Sequence, residues 1–204
     1  MIKIVSAHEM RQMDQHTIHT LGIPGVVLME NAGRGVYLVI EKILEEVYQP
    51  SVHIFCGKGN NGGDGYVIAR YLWEQGVDLQ VWVVGEEKDV KGDAKINFEV
   101  IGKLGVPVKF LKSKADLRKI SGTSADIVVD ALLGTGISGA VHGLMKDVIT
   151  FMNSMGGLIV SVDVPSGLNS DLPSLEGEAI QADITVTMAL PKICHVFHPA
   201  RSHV

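Results

Sequence analysis

Val52-His53-Ile54-Phe55-Cys56-Gly57-Lys58-Gly59-Asn60-Asn61-Gly62-Gly63-Asp64-Gly65 is the stretch on which the fold of this chain turns. A short apolar run, Val52–Cys56, passes directly into five glycines in nine residues. The run reads as a buried strand, and the glycines let the backbone turn sharply and approach a ligand closely. A helix opening at Gly65 would aim its free N–H groups and the positive end of its dipole at that turn, the usual place for a phosphate or pyrophosphate. Gly57-x-Gly59-x-x-Gly62 also matches the dinucleotide-binding fingerprint, which needs a strand before it and a helix after it. That fingerprint asks only for small residues. Asn60, Asn61 and Asp64 exceed it, and their side chains suit the orientation of a polar ligand or an ion. The competing reading is a plain turn, since Asn, Asp and Gly favour turns on their own account.

Working outward, further short apolar runs follow at Leu79–Val84, Pro107–Leu111, Asp126–Ala131, Leu158–Val162 and Ile184–Ala189. The first four gaps each hold a plausible helix, at Gly65–Glu74, Asp93–Leu104, Lys114–Ile120 and His142–Met155, while Pro165 to Ala182 reads as loop. Strands alternating with helices predict a mostly parallel central sheet with helices on both faces, a three-layer α/β/α Rossmann-like fold. Two extra helices precede it. Ser6 and Glu9 form a capping box for the first, which should run to about Thr20. Gly22-Ile23-Pro24-Gly25 breaks it, and Met29, Ala32, Val36, Val39, Ile40, Ile43 and Val47 space a second at three- and four-residue intervals. No repeat or linker divides residues 1–204, so one domain is expected.

Two later strands also end in unusual loops. One runs Asp130-Ala131-Leu132-Leu133 into Gly134-Thr135-Gly136-Ile137-Ser138-Gly139-Ala140, the other Val162-Asp163-Val164-Pro165-Ser166-Gly167. A carboxylate buried without a partner costs several kcal/mol, so Asp130 needs a cation or hydrogen-bond donors beside it. A strand order of 3-2-1-4-5-6 would bring the Asn61, Asp130 and Asp163 loops to one crevice at the carboxyl edge, where open α/β sheets bind ligands. Asn61, Asp130 and Ser166 then offer oxygen atoms alone, the donor set of a hard cation, and a single carboxylate favours a monovalent ion over calcium. Lys192, after the last strand, would reach the same edge, although a lone lysine there is most often a solvated surface residue.

Composition narrows the classes. The formal net charge of −5 leaves no basic surplus for nucleic acid. No apolar run nears the roughly 20 residues that span a bilayer, and the charged N-terminus lacks a signal-peptide core. Two cysteines, Cys56 and Cys194, are too few for a disulfide framework. A cytoplasmic protein with no membrane partner is expected. Cys194-His195-x-x-His198 with His203 could bind zinc in principle, but a strand through Val196 would send neighbouring side chains to opposite faces.

The stretches Ser6–Asp14, Leu28–Gly33, Gly57–Gly65, Asp130–Gly136, Asp163–Gly167 and Ala189–Lys192, in that order, resemble the NAD(P)H-hydrate epimerase family over almost the whole chain. The resemblance implies a hydrated NADH or NADPH substrate, with water added to the nicotinamide ring beside its nitrogen. It implies that Asn60, Asn61, Gly62, Gly63, Asp64, Gly134, Thr135, Gly136, Ile137, Ser138, Gly139, Ala140 and Asp163 bind that substrate. It also implies that Asn61, Asp130 and Ser166 hold K+, and that Asp163 and Lys192 do the chemistry. A homodimer is implied, as is occurrence fused to a dehydratase domain. The end of the chain at His203-Val204 suits a piece of such a fusion. The hydroxyl-bearing carbon is a hemiaminal, so epimerisation can pass through loss and return of water or through ring opening. Two rivals share the fold. An NAD-dependent dehydrogenase would use Glu86, after the second strand, for the ribose, and a partner-binding module would need none of these polar loops.

Overall fold

The computed structural model describes residues 2–204. Helix α1 (Ala7–Gln15) starts on the expected capping box, with Ser6 Oγ accepting from the Glu9 N–H and the Glu9 carboxylate accepting from the Ser6 N–H. It continues as a π-helical turn, His16–Thr20, to the expected end. Helix α2 (Gly25–Leu44) then leads into β1 (Ser51–Cys56), α3 (Asn60–Glu74), β2 (Asp78–Val84), α4 (Gly92–Lys103), β3 (Val108–Leu111), α5 (Lys114–Lys119), β4 (Ile127–Ala131), α6 (Gly143–Asn153), β5 (Leu158–Val162), β6 (Ile184–Val186) and α7 (Ile193–Val196).

The six strands pair in parallel in the order β3-β2-β1-β4-β5-β6. The chain therefore reverses direction across the sheet between β1 and β4, and the crevice expected from the sequence opens there. Both faces are buried, as parallel strands require. Val52, Ile54 and Cys56 pack under α2, α3 and α4. Phe55 points the other way, into the layer of Leu117, Val148, Ile149 and Met152 carried by α5 and α6. This alternation is the period-two pleat of β1 written into one hexapeptide.

Two of the boundaries that differ from expectation shape the crevice. Helix α3 begins at Asn60 rather than Gly65, so most of the glycine-rich stretch is helical. Its glycines serve close packing: a Cβ on Gly62 would collide with the Gly57 carbonyl, and one on Gly65 would meet Cys56 Sγ at 2.6 Å and Ala131 Cβ at 2.8 Å. Contact with the sheet thus overrides the helix-breaking tendency of glycine. Strand β6 stops at Val186 rather than Ala189. The next residues bend away to form hydrogen bonds with Asp163 and Lys192, and Ala189 takes a left-handed φ of 55°. None of the described helices is long and apolar enough to cross a membrane.

Candidate active site

A cavity of about 1020 Å³ lies at the carboxyl ends of β1, β4 and β5, at the top of the range for small-molecule and cofactor sites. Its floor is the turn Gly57–Asn61 with Asp64, one wall is Leu132–Ile137, and the far side carries Asp163, Val186–Ala189 and Lys192. Helices α1 and α2 close over it through Met10, Asp14, Thr17 and Asn31 among others. Two backbone contacts hold α1 there, Val5 N–H on the Pro191 carbonyl at 3.0 Å and Ala7 N–H on Asp171 Oδ1 at 2.7 Å.

The Asn61, Asp130 and Ser166 loops do come together. Asp130 is fully buried. Its Oδ2 accepts from Ser161 Oγ at 2.9 Å and the Ser166 N–H at 2.8 Å, and its Oδ1 accepts from Ser166 Oγ at 2.6 Å and the Leu132 N–H at 3.3 Å. Ser166 Oγ in turn accepts the Leu133 N–H at 2.9 Å and lies 3.1 Å from the Leu133 carbonyl, which also accepts from Asn61 Nδ2 at 3.1 Å. Among the described residues no lysine, arginine or histidine pairs with Asp130. Burial pushes its carboxyl pKa up against the opposing pull of its four hydrogen bonds. Two N–H groups and two hydroxyls hold this carboxylate with no cationic side chain beside it, and the neighbouring Ser166 Oγ and Leu133 carbonyl are oxygens of the kind that a hard monovalent cation takes.

Lys192, whose place after a strand suggested a solvated side chain, is fully buried. Its Nζ donates to Asp163 Oδ1 at 2.5 Å, Thr187 Oγ1 at 2.9 Å and the Met188 carbonyl at 3.0 Å, using all three N–H bonds. Asp163 sits at the end of β5 with φ of +66°, the left-handed region that costs a non-glycine residue about 1 kcal/mol. Its Oδ1 also accepts from the Met188 N–H at 3.0 Å and lies 3.3 Å from Thr187 Oγ1. The backbone is thus held in an unfavourable conformation so that one carboxylate can front the cavity beside an ammonium group.

Two more carboxyls face this pair. Asp64 is buried and has no hydrogen-bond donor among the described residues. Burial first, then Asp163 and Asp14, push its pKa well above the ordinary carboxyl value. Asp14 is raised for the same reasons, burial and then Asp163, with Lys192 opposing. The cavity therefore sets the Asp163–Lys192 pair opposite two carboxyls whose pKa values are raised.

Other expected residues are distributed unevenly. Asn60, Asn61, Asp64, Gly134, Thr135, Gly136, Ile137 and Asp163 line the cavity. Gly62 and Gly63 pack beneath it, Gly63 against Met29 Sδ, and Ser138, Gly139 and Ala140 lie outside the lining. Glu86, which a dehydrogenase would need, pairs with Lys88 at 2.7 Å away from the cavity. Cys194, His195, His198 and His203 form no metal cluster; Ile193–Val196 is a short helix rather than a strand. Asp14, Asn31 and Thr187 were not singled out from sequence. The helical spacing of Met10, Met13, Asp14 and Thr17, which puts all four on one face, was the signal for Asp14.

Residues 25–194 match the family model described as YjeF-related protein N-terminus. A bifunctional NAD(P)H-hydrate repair enzyme of Moorella thermoacetica is 43% identical over 98% of this chain, and this chain spans only 38% of that enzyme's length. NAD(P)H-hydrate epimerases of Rhodopirellula baltica and Weissella koreensis are 33% and 37% identical, over 93% and 94% of this chain and 75% and 83% of their own lengths. The crystal structure of the yeast protein YNL200c superimposes with a TM-score of 0.83 at 25% identity, covering 100% of this chain and 84% of that one. With relatives of this identity aligned along nearly all of its length and the family model spanning 25–194, the chain belongs to the YjeF-related family that includes the NAD(P)H-hydrate epimerases.

Proposed function

We propose that this chain interconverts the R and S epimers of hydrated NADH and NADPH at the hydroxyl-bearing nicotinamide carbon, returning damaged cofactor to a repairable form. The observation that carries the reading is the ion pair of buried Lys192 with part-buried Asp163, fronting a cavity floored by Gly57–Asn61 and Asp64. The turn and the Gly134–Ile137 loop receive the nucleotide, and Asp163 meets the hydrated ring.

The hydroxyl leaves as water after taking one proton, while the ring nitrogen's lone pair forms the C=N bond of a planar cation. Water returning to the opposite face releases one proton, so the step balances without a redox partner. Asp163 moves that proton. Lys192 has its three donors occupied, which supports a role in holding the charge and position of Asp163 over one in anchoring phosphate. Asn61, Asp130 and Ser166 would hold a potassium ion. When bound, it supplies the positive charge that Asp130 lacks and steadies the Leu133 turn. Residues 1–204 form one epimerase domain in this reading, which in a bifunctional enzyme precedes a dehydratase domain; a homodimer and a cytoplasmic location belong to the same reading.

The test follows the two hydrate epimers by chromatography, with and without potassium. Wild-type protein should equilibrate them, and Asp163→Asn should fold and bind the hydrate yet lose at least ~10²-fold in rate, the usual worth of acid–base assistance. Absence of interconversion by the wild type overturns the function. Wild-type turnover by Asp163→Asn removes that residue from the mechanism.

A further inference from the structure

The segment after Lys192 carries a side chain that the proposed chemistry leaves unused. His195 Nδ1 accepts the Lys192 main-chain N–H at 2.9 Å, and His195 Nε2 lies 2.9 Å from the Asp163 main-chain carbonyl. A carbonyl can only accept, so Nε2 bears the hydrogen and Nδ1 is the bare acceptor. One neutral tautomer meets both requirements. His195 therefore ties together the main chains of the two residues whose side chains form the buried ion pair, 29 positions apart in sequence. Asp163 needs such a tie, because its left-handed φ of +66° is a conformation its neighbours must maintain.

We propose that His195 is a positioning residue for the epimerase reaction: as the Nε2–H tautomer it sets the relative placement of Asp163 and Lys192. The inference rests on the epimerase reading for its kinetic consequence, and on geometry alone for the tautomer. Protonation of Nδ1 would replace the acceptor of the Lys192 N–H with a donor and add a positive charge beside the ammonium. The environment resists this, since burial and then Lys192 hold the imidazole below its ordinary value, with Asp163 opposing. The other titratable groups around the short helix face elsewhere. His198 meets Ser202 Oγ, His203 meets the Ile180 carbonyl, Arg201 is exposed, and Asp171 acts on the buried Cys194 thiol.

His195→Phe keeps a ring in place and removes both hydrogen bonds, separating packing from positioning. Displacement of catalytic groups by about 1 Å can cost ~10²-fold in rate, so kcat should fall about 100-fold with KM changed by less than about threefold. The wild-type profile of kcat should fall on the acid side as His195 is protonated, and that limb should be missing from the residual activity of the variant. A folded His195→Phe with wild-type kcat and the same acid limb overturns the proposal. Nitrogen-15 spectra of the wild-type imidazoles test it whether or not the variant folds or the wild type epimerises: Nε2–H at neutral pH is expected, and Nδ1–H or a mixture refutes it.

Discussion

Replacing Lys192 by methionine isolates the ion pair at the centre of the cavity. Methionine keeps an unbranched, apolar stem in the fully buried slot and deletes three N–H donors, leaving Asp163 Oδ1, Thr187 Oγ1 and the Met188 carbonyl without their partner. The Asp163 side chain is only 14% exposed, so water replaces the lost ammonium poorly. Breaking a buried pair on one side typically costs about 3–5 kcal/mol, against a total stability of about 5–15 kcal/mol for a domain. For a chain of this size each kcal/mol moves Tm by about 2–4 °C, so thermal unfolding should shift down by about 6–20 °C. Asp163→Asn removes the other charge, and in the double variant no uncompensated carboxylate remains. The double variant should therefore be less destabilised than the sum of the single changes by at least about 1 kcal/mol. Unfolding followed by circular dichroism or calorimetry measures all four proteins. A Lys192→Met midpoint within about 2 °C of wild type, or strict additivity in the cycle, would show that the pair is not the coupled, desolvated unit described here.

Two further outcomes are expected. Potassium chloride should raise Tm above an equal concentration of sodium chloride by about 5–10 °C when potassium is at 100 times its Kd, a gain of about 2.7 kcal/mol. Asp130→Asn should abolish the difference, and a difference that survives it would place the ion elsewhere. Asp64 should make stability depend on pH with a definite sign. Its carboxyl is raised from 3.8 by burial, then by Asp163 and Asp14, so the folded state holds the proton more tightly than the unfolded state. The resulting stability is fully present below the unfolded value and is lost as pH climbs to the folded one. Asp64→Asn, which cannot ionise, should therefore melt above wild type at about pH 8, with the gap closing as the pH falls toward the ordinary carboxyl range. A gap that widens in acid contradicts this sign.

Periodicity and residue type were enough to establish the architecture. Buried parallel strands need continuous apolar runs such as Ile127-Val128-Val129, and intervening helices need three- and four-residue spacing, both of which are local properties. The same reasoning located the crevice on condition of a 3-2-1-4-5-6 strand order, which the structure supplies. It also marked Asp130, a carboxylate in a buried strand that is costly without partners, and Asn61, Asp163 and Ser166, polar residues in the loops that follow the strands.

Only tertiary structure decided where helix α3 starts, since glycine's preference against helix gives way to contacts that Gly62 and Gly65 make with residues of β1, β4 and the turn. The residues alone read Lys192 as a surface side chain and only the resemblance paired it with Asp163; the tertiary structure shows it buried against Asp163, with the His195 bridge between them. The physical reason is the same in each case. Local sequence sets the period of an element and the cost of burying a group, whereas what covers that group depends on contacts made by residues tens of positions away.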